Sequence, residues 1–166
     1  MRKADIIPHK IYTIKELLPQ LRRWRLLGGK ISFTNGCFDI LHEGHIASLS
    51  EAAKEADYLV VGLNADDSTR RLKGPGRPVN NEHARAMILA SLLMVDAVII
   101  FGEDTPLELI KQIQPDVLVK GGDYTIDQIV GAKEVMADGG RVIINPILEG
   151  FSTSLILERI RNLNKS

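Results

Sequence analysis

The sequence predicts an α/β domain: a five-stranded, mainly parallel sheet with helices on both faces and one extra helix ahead of the first strand. Three observations lead there. From about residue 31 short apolar runs alternate with amphipathic stretches. Several of those runs are rich in Val and Ile, and two lack polar alternation, as suits strands covered on both faces. Finally, 166 residues with 45% apolar and 25% charged side chains make a single ordinary domain with a core of its own.

Residues 1–28 read as an N-terminal extension and helix, and 29–166 as the main domain. The extra helix spans Ile14–Leu27 and stops at Gly28-Gly29, and Pro19 is expected to kink or split it. Arg22, Arg23 and Arg25 form a solvated basic face. The strands are Ile31–Thr34, Tyr58–Leu63, Ala97–Phe101, Val117–Val119 and Arg141–Ile144. After the first strand, Ile46, Leu49 and Ala53 mark one side of a helix. Asp66–Asn80, with Gly74, Pro75, Gly76 and Pro78, reads as a long irregular loop of the kind that carries ligand contacts. Ala84, Met87, Ile88, Leu92 and Val95 share a helical face directed at the sheet. Thr105-Pro106-Leu107-Glu108 starts a helix that ends before Pro115, Thr125 and Gln128 have capping-box spacing, and Leu155–Leu163 is a terminal helix.

Composition removes several function classes. Twenty-one Lys and Arg against twenty-one Asp and Glu leave no basic excess for a nucleic-acid binder. The single cysteine, Cys37, excludes a disulfide framework and a multi-cysteine zinc site, and points to a reducing compartment. The start of the chain has no apolar signal region, and no window approaches the ~18 apolar residues of a membrane span. The expectation is a soluble cytoplasmic protein with no membrane partner.

The most informative segment is Thr34-Asn35-Gly36-Cys37-Phe38-Asp39-Ile40-Leu41-His42-Glu43-Gly44-His45, between the first strand and its helix. Glycine turns and a helix N-terminus coincide there, and unpaired backbone N–H groups with the helix dipole stabilise a phosphate. His42 and His45, three residues apart, add donors on the same side. Two such histidines also suit zinc, but zinc takes three or four protein ligands, and His9 and His83 are not obviously placed to complete a set. A chance pair of surface histidines is the remaining alternative.

Gly36-x-Phe38-Asp39-x-x-His42-x-Gly44-His45 resembles the signature of the cytidylyltransferase-like nucleotidyltransferases, and from about residue 28 the chain is most similar to the adenylyltransferase half of heptose kinase/adenylyltransferase enzymes. The resemblance implies a Rossmann-like fold, ATP with Mg2+, and a sugar 1-phosphate acceptor, D-glycero-β-D-manno-heptose 1-phosphate by resemblance alone. It makes His42, His45 and Lys73 catalytic, and Thr34, Asn35, Gly36, Phe38, Gly44 and Asn64 nucleotide-binding. In Lys120-Gly121-Gly122-Asp123-Tyr124, at the carboxyl end of the fourth strand, it places Lys120, Gly122 and Asp123 beside the base and ribose. Ser152, Thr153 and Ser154 become ligands of the β- and γ-phosphates, or else helix caps. Arg71, Arg77 and Arg85 are assigned to substrate phosphate, with solvated charges as the alternative. Ile147 stands two residues before Glu149, where related cytidylyltransferases carry arginine, which favours ATP over CTP. The resemblance further implies a homo-oligomer and a separate sugar kinase upstream. A cytidylyltransferase acting on glycerol 3-phosphate, an FMN adenylyltransferase and an ATP-binding regulatory module are the competing readings.

Overall fold

A strand that is apolar on both sides needs a helical layer above and below. The strand Tyr58–Asn64, with six of its seven residues buried, accordingly lies inside the sheet. The structure is a computed structural model that describes residues 4–146 and 150–163. Ile147 and Glu149 lie outside the described residues. Among those described, the strands are β1 (Ile11–Tyr12), β2 (Ile31–Gly36), β3 (Tyr58–Asn64), β4 (Ala97–Phe101), β5 (Val117–Gly121) and β6 (Arg141–Asn145). The helices are α1 (Ile14–Leu26), α2 (Glu43–Lys54), α3 (Asp66–Lys73), α4 (Glu82–Ala90), α5 (Leu107–Ile113), α6 (Ala132–Ala137) and α7 (Thr153–Leu163).

The sheet is parallel throughout, in the order β1-β4-β3-β2-β5-β6. The chain winds outward from β2 to β4 and then returns to the other side of β2, so the β2/β5 crevice is the topological switch point. One face carries α1, α5 and α6, packed through Leu21, Ile110 and Val135 onto Phe33, Val60 and Leu118. The opposite face carries α2 and α4, packed through Leu49 and Leu89 onto Val61, Val98 and Val119. At the amino end of the sheet, aspartates accept N–H groups from the starts of neighbouring strands: Asp116 from Ile31 at 2.9 Å and Asp96 from Leu59 at 2.8 Å.

Several elements differ from expectation. The described residues form six strands rather than five, because Ile11–Tyr12 pairs with Val98 and Ile99 at the sheet edge over a stretch too short to show alternation. Helix α1 runs unbroken past Pro19: Leu17, Leu21 and Trp24 anchor both sides of it, while Pro19 and Lys15, four residues before it, are exposed. The first half of the expected Asp66–Asn80 loop is helix α3, with Asp66 and Asp67 in its first turn and Arg70, Arg71 and Lys73 in its last, matching the helix dipole. Helix α4 buries Arg85, Ala86, Leu89 and Ala90, whereas Met87 and Ile88 are exposed. The small alanines let its backbone approach the sheet, and this rotates the buried face away from the one the larger side chains suggest. Helix α5 begins at Leu107 with Pro106 as N-cap, and the Thr125/Gln128 capping box closes a 3-10 turn, Ile126–Gln128.

Candidate active site

Strand β2 ends at Gly36, where a Cβ would stand 3.0 Å from the Phe38 ring. Phe38 turns the chain with φ 44°, in the left-handed region that a bulky residue occupies only when its surroundings fix it. Its ring is buried and leans on His45, 5.4 Å between centroids, so Phe38 supports the histidine. His42 is the N-cap of α2, and its backbone N–H donates to His45 Nδ1 at 3.4 Å. That bond leaves the His45 proton on Nε2. The two rings stack at 3.8 Å with 28° between planes. Gly44 keeps them accessible, since a Cβ there would lie 3.1 Å from the His42 ring and 3.2 Å from Phe151 Cβ.

Burial, and secondarily the charge of His42, lowers the His45 pKa to about 4, and burial lowers that of His42. Both rings are therefore neutral donors near pH 7. His42 Nδ1 is buried without a hydrogen-bond partner among the described residues. An orphaned polar atom of this kind is costly unless a ligand or water meets it.

Phe151, which packs beside Gly44, brings the start of α7 to the start of α2. Thr153 Oγ1 reaches the Ile40 carbonyl at 3.5 Å. Ser152 Oγ accepts the Leu155 N–H at 3.1 Å, so this hydroxyl is a helix cap, while Ser154 is exposed. The N-termini of α2 and α7 thus lie side by side, with His42 and His45 in the first turn region of one and Thr153 and Ser154 in the first turn of the other.

On the other face of the sheet lies a cavity of about 370 Å³. Its floor follows from strand periodicity, because Asn35, Asn64 and Lys120 project on the same side as Phe33, Val60 and Leu118, two or four residues earlier. Gly62 leaves room for this layer, since a Cβ there would meet the Phe33 ring at 2.8 Å. Lys120 is half-buried, 3.4 Å from Asn35 Oδ1, and its pKa is lowered by burial. Lys73, Leu72, Asp104, Thr105, Tyr124 and Gln128 form the walls. Gly122 is buried with φ 135°, its backbone against the Tyr124 ring, and Asp123 is exposed. Thr34 is buried within β2, and the Asn64 side-chain amide donates to Ser68 Oγ at 3.1 Å.

Each of the three arginines assigned to substrate phosphate pairs with a carboxylate of the protein. Arg85 is 1% exposed; it donates to the carbonyls of Cys37 at 2.5 Å, Asn64 at 2.9 Å and Asn80 at 3.0 Å, and pairs with Asp66 at 2.7 Å. Its helical position turns inward, so it ties three loops together with four of its five N–H donors. Arg71 ties α3 to Asp104 at 2.7 Å and to the Gly102 carbonyl at 2.8 Å. Arg77 pairs with buried Asp39, which also accepts the N–H groups of Val79 at 2.7 Å and Asn80 at 3.1 Å. Asp39 and Arg85 are organising residues that sequence reading missed in this role; a carboxylate inside the glycine-histidine motif was the available signal. Among the described residues no group of three or more His, Cys, Asp or Glu is gathered for a metal, and His83 lines a separate cavity of about 520 Å³.

The cytidylyltransferase-like family model matches residues 33–159. The chain is 57% identical over 157 residues to the bifunctional protein HldE of Hyphomonas neptunium and 58% identical over 167 residues to that of Rhodopseudomonas palustris, alignments that include 95% and 96% of this chain. They include only 31% and 34% of those proteins, so the chain spans about a third of the length of the curated relatives it matches. Among solved structures, a lipopolysaccharide core biosynthesis protein from Thermoplasma volcanium superposes with a TM-score of 0.59 at 29% identity, covering 73% of this chain and 98% of that one. Pantoate-beta-alanine ligase from Francisella tularensis shares the fold, with a TM-score of 0.56 at 19% identity over 82% of this chain and 66% of that one. With the motif, the switch-point geometry and the family match in agreement, the chain belongs to the cytidylyltransferase-like family.

Proposed function

We propose that the chain is an adenylyltransferase that moves AMP from ATP to a sugar 1-phosphate, giving an ADP-sugar and pyrophosphate. The observation that carries this reading is the stacked, neutral His42/His45 pair at the start of α2, facing the start of α7. Such a site holds a triphosphate through N–H donors without neutralising it. A phosphate oxygen of the acceptor attacks the α-phosphorus of ATP in line. The new O–P bond forms as the bond to the β-phosphate oxygen breaks, and pyrophosphate leaves with that electron pair. The nucleophile is already an anion, so catalysis is positioning plus charge stabilisation.

His42 and His45 donate to the α-phosphate oxygens, Thr153 and Ser154 with the α7 amides receive the pyrophosphate, and Lys73 joins donor and acceptor phosphates. Magnesium carried with ATP would supply further charge neutralisation at the phosphates. The acceptor is heptose 1-phosphate, by likeness to the HldE proteins. A sugar kinase must supply it, and the remaining two-thirds of the relatives' length leaves room for such a second activity. The active form is a homo-oligomer in the cytoplasm.

The test is pyrophosphate release with ATP or CTP against sugar 1-phosphates, glycerol 3-phosphate and FMN. ATP with a sugar 1-phosphate is the expected productive pair. Turnover confined to CTP with glycerol 3-phosphate, or to ATP with FMN, would replace this reading by the corresponding transferase. Nucleotide binding without any pyrophosphate would make the chain a regulatory module.

A further inference from the structure

We infer that Arg77 is a positioning residue of the transfer: by pairing with Asp39 it screens a buried negative charge from the triphosphate at the histidine turn. The inference rests on the adenylyl-transfer reading and adds how such a site tolerates a carboxylate beneath a polyanion. Asp39 lies between two residues that touch the site. Phe38, before it, leans on His45, and Ile40, after it, accepts the Thr153 hydroxyl at 3.5 Å. The Asp39 side chain is 1% exposed. A charge kept from water acts on its neighbours with little screening, so an unpaired carboxylate there opposes a phosphate at the starts of α2 and α7. No side chain at those helix starts offsets it, because His42 and His45 are neutral near pH 7 and Thr153 and Ser154 carry no charge.

The carboxylate is present because it fastens a loop. Asp39 Oδ1 accepts the N–H groups of Val79 at 2.7 Å and Asn80 at 3.1 Å, and the Asp39 carbonyl accepts the Asn80 side-chain amide at 3.2 Å. These bonds hold the segment between α3 and α4 against the histidine turn. Arg85 joins the same two pieces through the Cys37 and Asn80 carbonyls. Every one of these bonds is made without Arg77. What Arg77 adds is charge: its Nε donates to the other carboxylate oxygen, Oδ2, and among the described residues Asp39 is the guanidinium's one partner. The Arg77 side chain is 15% exposed, so the pair forms largely out of water, where neutralising a charge matters most. Two tasks are thus divided between neighbours. Backbone N–H groups and Arg85 hold the loop, and Arg77 cancels the charge that the fastening brings, acting on the nucleotide through Asp39.

The experiment compares wild type, Arg77→Gln, Arg77→Lys and the double variant Asp39→Asn/Arg77→Gln. It reads the binding of α,β-methylene-ATP with magnesium and, separately, kcat and both KM values from pyrophosphate release. Arg77→Gln is expected to weaken nucleotide binding and to lower kcat by about tenfold each, with the sugar-phosphate KM within about threefold of wild type. Arg77→Lys keeps the charge and is expected to stay within about threefold in every reading. The double variant lacks the arginine but also the charge it screens, and an amide pair of similar shape replaces the ion pair. It is expected to recover nucleotide binding and kcat to within about threefold of wild type. A purely structural role predicts the opposite order, since a second substitution in the same contact then adds to the damage. The inference is overturned if the double variant is as weak as Arg77→Gln or weaker, or if Arg77→Gln leaves nucleotide binding unchanged. It is equally overturned if the loss falls on the sugar-phosphate KM alone, the signature of an arginine that touches the acceptor directly. Should Arg77→Gln not fold, Arg77→Lys and the double variant decide: both near wild type is the expected result, and a loss of about tenfold in either overturns the inference. Wild type that shows this pattern in nucleotide binding yet forms no ADP-sugar refutes the adenylyl-transfer reading and leaves the screening role standing. Wild type that turns over, with nucleotide binding and kcat unmoved in Arg77→Gln, does the reverse.

Discussion

His45 is where burial and protonation bear on the proposed catalysis. Its ring lies against Phe38 and His42, which fixes the Nε2 donor and keeps the imidazole neutral. A preorganised donor of this kind contributes about 3–4 kcal/mol to a phosphoryl transition state. His45→Ala is accordingly expected to lower kcat by roughly a hundredfold to a thousandfold, measured as pyrophosphate release at saturating substrates. The same burial has a stability consequence. Between pH 6.5 and about 4 the unfolded imidazole binds a proton that the folded one refuses, so stability is complete above that window and declines as pH falls through it. The urea midpoint of wild type should drop from pH 7 to pH 4.5, and His45→Gln should flatten that part of the dependence; an equal slope in both would refute the assignment. The motif itself was legible at the residue scale because backbone, glycines and histidines all point to one chemistry. The arginines were not, since Arg71, Arg77 and Arg85 look alike in sequence and only packing shows that all three bind protein groups.

At the scale of elements, the strands are readable because a doubly covered strand is a run of apolar residues whatever its neighbours are. Helix α3 is not, because Asp-Asp-Ser-Thr-Arg-Arg-Leu-Lys has one large apolar residue and is held by charge placement and by Ser68 and Thr69, both buried against the end of β3. Helix α4 misleads for the opposite reason. Its larger apolar residues, Met87 and Ile88, are exposed, and its buried face is built from alanines, a leucine and an arginine. That arginine joins the end of β2, the end of β3 and the loop before α4. Arg85→Met should cost about 3–5 kcal/mol of stability, by stranding buried carbonyls and removing one partner of an ion pair. The check is a lowered urea midpoint at an unchanged m-value. A loss under ~1 kcal/mol would mean that water replaces the guanidinium without strain.

For the molecule as a whole, the parallel sheet creates a switch point beside β2 and carries a packed helical layer on each of its faces. The position of the histidine turn after the first long strand was legible from the βα alternation; the strand order was not, because alternation alone does not say on which side of β2 each later strand adds. Adenylyl transfer at the histidine turn is the central claim. The direct measurement is incubation with magnesium, a sugar 1-phosphate and ATP labelled with 32P at either the α or the γ position. The account predicts α-label in the ADP-sugar, γ-label in pyrophosphate, and neither product from the His42→Ala/His45→Ala double variant. Label from the γ position in the sugar product, or unchanged product formation by the double variant, would contradict it.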